Sequence, residues 1–391
     1  MLPVNRRLKK DKYKLTSHMK IVQSISEAIN KGTLSPGSII YTSGNAATPQ
    51  EILKQIIYDT DITGIEMLSV LLLGDIAPLF SKEACKRITH RIIFNGPHSR
   101  EAVNEGWATY QLLHLSDIPH QIKNYIKPNV VLLTVSGPDN GGNYSLGTTV
   151  EGVRQAITTA KEQGGLVIAE RNAKMPFVLG ETIKEKEIDY LIDTDYTLPP
   201  SPVHVPDERA MKIGRIIARK FIKDGCTLQY GIGEVPEAVT EAIIEEGIKD
   251  LGVHTELFAD AMRKLVDKGV VSNKYRQNKF SVSTLFLGAD QDAYNWLDFN
   301  SDVRSAGCDY TNSILEIASQ ESMVAINSAI GVDLHGNIWA DSLQANKIYS
   351  GIGGQADFLR GSYHSIGGTP VIALKSSTSK VQIFRSDNQK S

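Results

Sequence analysis

Leu251-Gly252-Val253-His254-Thr255-Glu256-Leu257-Phe258-Ala259-Asp260 is the stretch on which the reading of the whole chain turns. It reads as the end of a short strand, a polar corner, and the first turn of a helix running to about Val266. Thr255 is placed to cap that helix, and an acid at Glu256 complements the dipole of its first turn. Taken alone, Glu256 is an ordinary helix-start carboxylate. Its neighbours in the second half of the chain give it chemistry.

Upstream, Leu228-Gln229-Tyr230-Gly231-Ile232-Gly233-Glu234-Val235-Pro236-Glu237-Ala238-Val239 is a strand, a glycine turn and a helix. Gly231 and Gly233 let backbone N–H groups approach a phosphate, and Pro236 suits the first helical turn. This is half of a dinucleotide fingerprint, and Glu256 follows where a nicotinamide enzyme keeps its ribose-binding acid, about 20 residues on. The third glycine is missing, however, and the acid falls at a His-Thr-Glu corner, so that reading is the weaker one. Downstream, Tyr349-Ser350-Gly351-Ile352-Gly353-Gly354-Gln355-Ala356-Asp357-Phe358-Leu359-Arg360-Gly361 concentrates glycine on a loop. Such a loop exposes the N–H groups that an oxyanion hole or phosphate nest requires, although a tight strand-to-helix connection also uses glycine. A carboxylate is a weak nucleophile and needs an oxyanion partner of this kind.

Working outward, apolar β-branched runs alternate with helix-period segments. Strands are expected at Ser38–Thr42, Met67–Leu73, Arg91–Phe94, Asn129–Val135 and Gly165–Ala169, and helices at Pro49–Tyr58, Arg100–Tyr110, Asp117–Tyr125 and Val150–Glu162. Thr48 and Pro49 look like an N-cap and a first helical residue. Glycine-rich loops at strand ends, Ser43–Asn45, Asn95–Arg100 and Ser136–Gly147, are candidate walls of a site, or simply turns. The prolines at 199, 200, 202 and 206 mark a linker. The expected division is an α/β domain over residues 1–196, a linker over 197–207, and a second α/β domain over 208–391. Asp207 can cap a helix carrying Ile213, Ile216, Ile217 and Phe221 on one face, and strands are expected at Thr227–Tyr230, Met323–Asn327 and Val371–Leu374. The fold class is α/β, two halves with mostly parallel sheets.

Composition narrows the function. With 391 residues, 41% apolar and 22% charged, and a formal net charge of −2, the chain has no global field for nucleic acid or an anionic membrane. Cys85, Cys226 and Cys308 are odd in number and far apart, which argues against a disulfide framework and a paired-cysteine metal site and suits a reducing compartment. The basic start lacks the apolar core of a secretory signal, and no apolar run is long enough to span a bilayer, so the expected location is cytoplasmic. There is no His-Glu-x-x-His, no Gly-x-Ser-x-Gly elbow and no Walker loop, so no metal is expected. His254 reads as a positioning residue rather than an acid or base.

These runs, with Met323–Ala329, Val332-Asp333-Leu334, Ser136–Asp139, Tyr144–Gly147, Ala169-Glu170, Asn172 and Met175-Pro176, come in an order and spacing that resembles the acetyl-CoA hydrolase/transferase family, on its 4-hydroxybutyrate and butyrate:acetate CoA-transferase side. The likeness runs to about Lys380. It implies two topologically related α/β domains with the active site between them. It also implies Glu256 as the nucleophile of a ping-pong transfer of CoA between a short acyl-CoA and a carboxylate such as acetate, through an acyl-glutamyl anhydride and a glutamyl-CoA thioester. CoA is then a substrate, the other partner is a small carboxylic acid, and a homodimer fits the family. The resemblance assigns CoA contacts to Gly231, Ile232, Gly233, Glu234, Val235, Gly331, Gly354 and Lys380, with Gly353 and Gly354 near the oxyanion. Gly331 stands where relatives often carry an acid, which weakens its assignment. The sequence beyond Lys380 is shorter than the resemblance implies, so either part of the CoA site is expected to be missing or a sheet edge to be left uncovered. An acyl-CoA hydrolase and a non-catalytic CoA or nucleotide binder are the alternatives.

Overall fold

Two all-parallel sheets carry the chain in this computed structural model, which describes residues 19–344 and 347–376. The first has eight strands: β1 (Lys20–Val22), β2 (Ile39–Thr42), β3 (Ile65–Ser69), β4 (Ile88–Ile92), β5 (Thr109–Tyr110), β6 (Val130–Val135), β7 (Leu166–Asn172) and β8 (Tyr190–Thr194). Their order across the sheet is β1-β8-β7-β6-β2-β3-β4-β5. The second has six: β9 (Thr227–Tyr230), β10 (Gly252–Ala259), β11 (Ser281–Leu287), β12 (Val303–Ser305), β13 (Met323–Ser328) and β14 (Thr369–Ala373), ordered β12-β11-β10-β9-β13-β14. Each order reverses beside a central strand, between β6 and β2 and between β9 and β13. In open parallel sheets such a reversal opens a crevice at the strands' carboxyl ends.

The central strands are aliphatic because helices cover both of their faces. All six residues of β6 are buried, as are all seven of β11. Helix Glu208–Phe221 is capped by Asp207, whose carboxylate accepts from the Ala210 amide at 2.8 Å. Only Ile217 of the expected apolar face is fully buried, with Ile216 and Phe221 exposed. The contact turns instead on Gly214, where a Cβ would stand 2.4 Å from the Ala238 carbonyl oxygen, so close helix approach replaces an aliphatic seam.

Several sequence expectations need correction. Glu256 does not open a helix. It lies within β10, and the helix starts only at Asp260 (Asp260–Asp267). The ladder to β11 keeps the chain extended, pairing Thr255 with Ser283 and Leu257 with Leu285. Thr255 caps nothing; its hydroxyl donates to the Leu257 carbonyl at 3.0 Å. The helix from Arg100 stops at Asn104, because Gly106 turns left-handed (φ 78) and leads into β5. Helix Gln50–Tyr58 is not capped by Thr48. The Ile52 amide donates instead to the buried carboxyl of Glu170 at 2.5 Å.

The two sheets are stitched together in several places, three of which bear on the site. Thr148–Glu151 lies antiparallel to β11, with the Phe286 amide donating to Thr148 O (2.8 Å) and the Val150 amide to Thr284 O (2.9 Å). Arg100 donates to Tyr349 O at 2.7 Å and stacks 3.9 Å from its ring, while Asn104 exchanges two 3.0 Å bonds with Ile348. Finally, the Leu115 amide donates to Gly353 O at 3.1 Å, and the Ser116 hydroxyl to Asp357 at 2.9 Å. The glycine loop is thereby pinned by the first sheet's own connections.

Candidate active site

β10 has one open edge. β9 pairs with it only at Gly252 and Val253 before turning away at Gly231, so from His254 onward only β11 flanks it. The two-residue alternation of a strand puts His254 and Glu256 on the same face. The main chain of Glu256 is fixed by the Ser283 hydroxyl, which donates to its carbonyl at 2.8 Å. The half-buried side chain reaches Asn312, whose Nδ2 donates to Oε2 at 2.8 Å.

Gly354 closes the other side. A Cβ there would stand 1.9 Å from Glu256 Oε2 and 2.0 Å from Asn312 Nδ2, so no other residue fits. Gly353 is left-handed (φ 58), and a Cβ on it would lie 3.7 Å from Glu256 Oε1 and 3.4 Å from the ring edge of Phe94. The structure thus brings Glu256, Gly353 and Gly354 together, with Asn312, Phe94 and Asp357 as residues that the sequence did not single out.

Electrostatics follow from this packing. Burial pushes the Glu256 carboxyl up to about 7; the Asn312 amide and the Gly354 N–H favour its charged form, and the Asp357 carboxylate opposes it. His254 is fully buried. Arg276 Nη2 lies 3.3 Å from its Nδ1, and a guanidinium can only donate, so the ring proton sits on Nε2 and is donated to Thr311 O at 2.8 Å. Burial first, then the Arg276 charge, hold His254 down near 3, so it is neutral at physiological pH. Its ring nitrogen ties it to the turn that ends at Asn312. A carboxylate with two convergent donors and no proton relay is equipped for nucleophilic attack on an activated carbonyl.

A groove of about 380 Å³ lies at the carboxyl ends of β9, β13 and β14, the reversal point of the second sheet. Gly233, Glu234, Val235, Ser328 and Lys375 line it. Gly233 adopts φ 126 and ψ 176, a region open only to glycine, and starts helix Glu234–Glu245. Gly231 stands beside Leu257, and Ile232 is exposed at the turn. Gly331 is not on the groove wall; it lies one residue beyond Ile330, in a two-residue strand paired with Ile338–Trp339. Lys375, which the sequence reading passed over, sits in the groove and pairs with Glu234 and, at 2.8 Å, Asp207. Lys380 lies outside the described residues. Among the described residues no cluster of three His, Cys, Asp or Glu could hold a metal, and no helix is long and apolar enough to cross a membrane.

No local signal marks Asn312, which ends the short helix Cys308–Thr311 and touches Glu256 only through the fold. Asp357 lies in the quoted glycine stretch, but its partner Ser116 is on a first-sheet connection.

Comparison with known proteins agrees with this arrangement. The acetyl-CoA hydrolase/transferase N-terminal domain matches residues 5–200, and the corresponding C-terminal domain matches residues 289–387. The 4-hydroxybutyrate coenzyme A transferase of Clostridium kluyveri is 34% identical over 346 residues, 86% of this chain and 77% of that protein. The succinyl-CoA:acetate/propanoyl-CoA:succinate CoA transferase of Fasciola hepatica is 32% identical, over 89% of this chain and 73% of its own. The crystal structure of RipA from Yersinia pestis superposes with a TM-score of 0.84 at 27% identity, covering 93% of this chain and 83% of that one. The likeness to an acetyl-CoA hydrolase, from Neurospora crassa, is more distant: 28% identity over 45% of this chain. The chain belongs to the acetyl-CoA hydrolase/transferase family.

Proposed function

We propose that this protein is a CoA-transferase that moves CoA between a short-chain acyl-CoA, of the acetyl, butyryl or 4-hydroxybutyryl type, and a carboxylate such as acetate, with Glu256 as nucleophile. The observation that carries the reading is the enclosure of Glu256 between Asn312 and Gly354 at the seam of the two sheets. The greater likeness to named CoA-transferases than to hydrolases supports it.

A Glu256 oxygen attacks the thioester carbonyl, and the C–S bond breaks to give an acyl-glutamyl anhydride and CoA thiolate. The thiolate then attacks the glutamyl carbonyl, the anhydride C–O bond breaks, and the first acid leaves as its carboxylate. A glutamyl-CoA thioester remains, and a second carboxylate reverses the sequence. Each step exchanges one anionic leaving group for another, so no proton moves, which suits a neutral, locked His254. The Gly354 N–H offsets charge on the carbonyl oxygen as it develops, while Asn312 stays with Glu256. Shielding from water protects both intermediates. The groove beside Gly231–Val235 suits CoA, with Lys375 taking the CoA contact that the resemblance assigns to Lys380. In this reading residues 1–196 and 208–391 form the two domains, joined by 197–207. The unpaired thiols Cys85, Cys226 and Cys308 support a cytoplasmic location.

Intact-mass measurement after mixing with butyryl-CoA tests this. The wild type gains a CoA adduct that acetate discharges as acetyl-CoA, and Glu256→Ala gains none. An adduct persisting in Glu256→Ala overturns the assignment; a CoA release rate indifferent to acetate makes the enzyme a hydrolase.

A further inference from the structure

Glu151 stands where the two sheets meet, and no step above uses it. It ends the Thr148–Glu151 stretch docked on β11, in left-handed backbone (φ 42) that non-glycine residues rarely adopt. Three contacts hold it there. Its amide donates to Thr284 Oγ1 at 2.9 Å, its carbonyl accepts from the Cys308 amide at 3.1 Å, and its Oε1 accepts from Asn45 Nδ2 at 2.9 Å. Asn45 is itself left-handed (φ 50), just past β2 at the reversal point of the first sheet. The residue is 1% exposed, its Oε2 has no hydrogen-bond partner, and no ion pair among the described residues includes it. Strained backbone and an orphaned buried oxygen at one position are the pattern found at functional sites rather than at ordinary seams.

The placement has a consequence for Glu256. The short helix Cys308–Thr311 is gripped at both ends, by the Glu151 carbonyl at the Cys308 amide and by His254 at the Thr311 carbonyl. The next residue is Asn312, the donor to Glu256, whose own side-chain oxygen accepts from Thr311 Oγ1 at 2.8 Å.

We propose that Glu151 is a positioning residue for Glu256 that works as a neutral carboxylic acid. It locks the Asn312-bearing turn against the first sheet and keeps a second negative charge away from the nucleophile. This inference rests on the reading of Glu256 as nucleophile. The groups around Glu151 are consistent with a neutral acid. The first sheet contributes the Tyr41 phenol and Asn45, the turn the Cys308 thiol, and β10 the Glu256 carboxyl. An adjoining cavity of about 110 Å³ adds Arg154, Glu181 and Asp309, and Arg154 is already paired with Glu187. Burial, and then the charge on Glu256, push Glu151 up to about 8, while Cys308 and Tyr41 are pushed well above their ordinary values. Glu256 is half-exposed and its Oε2 accepts from Asn312, whereas Glu151 is buried with Oε2 unpartnered, so the charge sits on Glu256 and opposes a second one at Glu151. At neutral pH the site thus holds a single negative charge on the residue that needs it. At alkaline pH, ionised Glu151 repels both Glu256 and the incoming carboxylate.

Single-turnover formation of the CoA adduct from butyryl-CoA, followed between about pH 6 and 9.5, tests the idea in wild type, Glu151→Gln and Glu151→Ala. The wild-type rate rises through the ionisation of Glu256 and falls as Glu151 ionises. Glu151→Gln, an isostere of the neutral acid, keeps the neutral-pH rate within about twofold and loses the alkaline fall; Glu151→Ala loses about tenfold or more at every pH. An alkaline fall unchanged in Glu151→Gln overturns the inference while leaving the nucleophile intact, as does a glutamine variant as impaired as the alanine one. No adduct in the wild type overturns both readings. Should Glu151→Ala fail to fold, the glutamine profile decides alone.

Discussion

Replacing the proposed nucleophile by its neutral isostere, Glu256→Gln, should stabilise the fold, and by an amount that depends on pH. Burial raises the Glu256 carboxyl from 4.5 to about 7. The folded state then binds a proton that the unfolded chain releases, so the wild type loses stability as pH rises from the unfolded value to the folded one. At about 1.36 kcal/mol per tenfold step this cost approaches about 3 kcal/mol above pH 7. Glu256 is only half-buried, so solvent screens part of the charge and on the order of 2 kcal/mol is expected. Glutamine keeps an oxygen for the Asn312 and Gly354 donors and carries no charge. Urea unfolding at about pH 4 should show wild type and variant equally stable within about 0.5 kcal/mol, and at about pH 8.5 the variant should lead by roughly 2 kcal/mol, with no turnover. A variant less stable than, or equal to, the wild type at the higher pH refutes the claim that the site holds its nucleophile against a desolvation cost.

Two further substitutions probe the donors. Gly354→Ala drives a methyl into the space between Glu256 Oε2 and Asn312, so kcat should fall by about 100-fold or more while the melting temperature changes little; a near-normal kcat would show that the loop retreats freely. Asn312→Ala removes a hydrogen bond that favours the Glu256 carboxylate, so the acid limb of the pH–rate profile should move to higher pH, with kcat lower by about 10²-fold. A limb that stays put would mean that Asn312 does not touch the nucleophile in solution.

Much of this architecture is local and was legible in the sequence. The strand at Thr227–Tyr230 ends at its glycine turn as expected, because a buried four-residue run followed by Gly231 and Gly233 leaves little choice. The Asp207 cap is equally local. The element that carries Glu256 is not legible locally. A polar triad followed by Leu-Phe-Ala reads as a helix start, and only the ladder to Ser281–Leu287, a strand the sequence reading passed over, keeps it extended. Glu151 was hidden differently. It falls at the front of a helix expected from Val150, where an acid is unremarkable, whereas the helix begins at Val153 and Glu151 is folded under it by the docking of Thr148–Val150 on β11. Asn312 and the Ser116–Asp357 bond join segments far apart in the chain, and no periodicity encodes them.

The position of Glu256 between the sheets imposes a conflict on the site. In the proposed reaction, removing water protects an anhydride and a thioester, yet the same burial holds the carboxyl partly protonated at neutral pH. The Asn312 and Gly354 donors offset that cost in the free enzyme by favouring the carboxylate. During attack the Glu256 oxygens lose charge and the thioester oxygen gains it, so donors serving only the ground state would slow the reaction. Gly354 has no side chain to cover its N–H beside Oε2, so in the proposed reaction an incoming thioester oxygen can take over that hydrogen bond as the charge moves. Asn312, gripped through its turn by His254 and Glu151, is held to the departing charge. One donor that can change its partner and one that stays with Glu256 thus let the same pocket stabilise the proposed nucleophile before attack and the oxyanion during it.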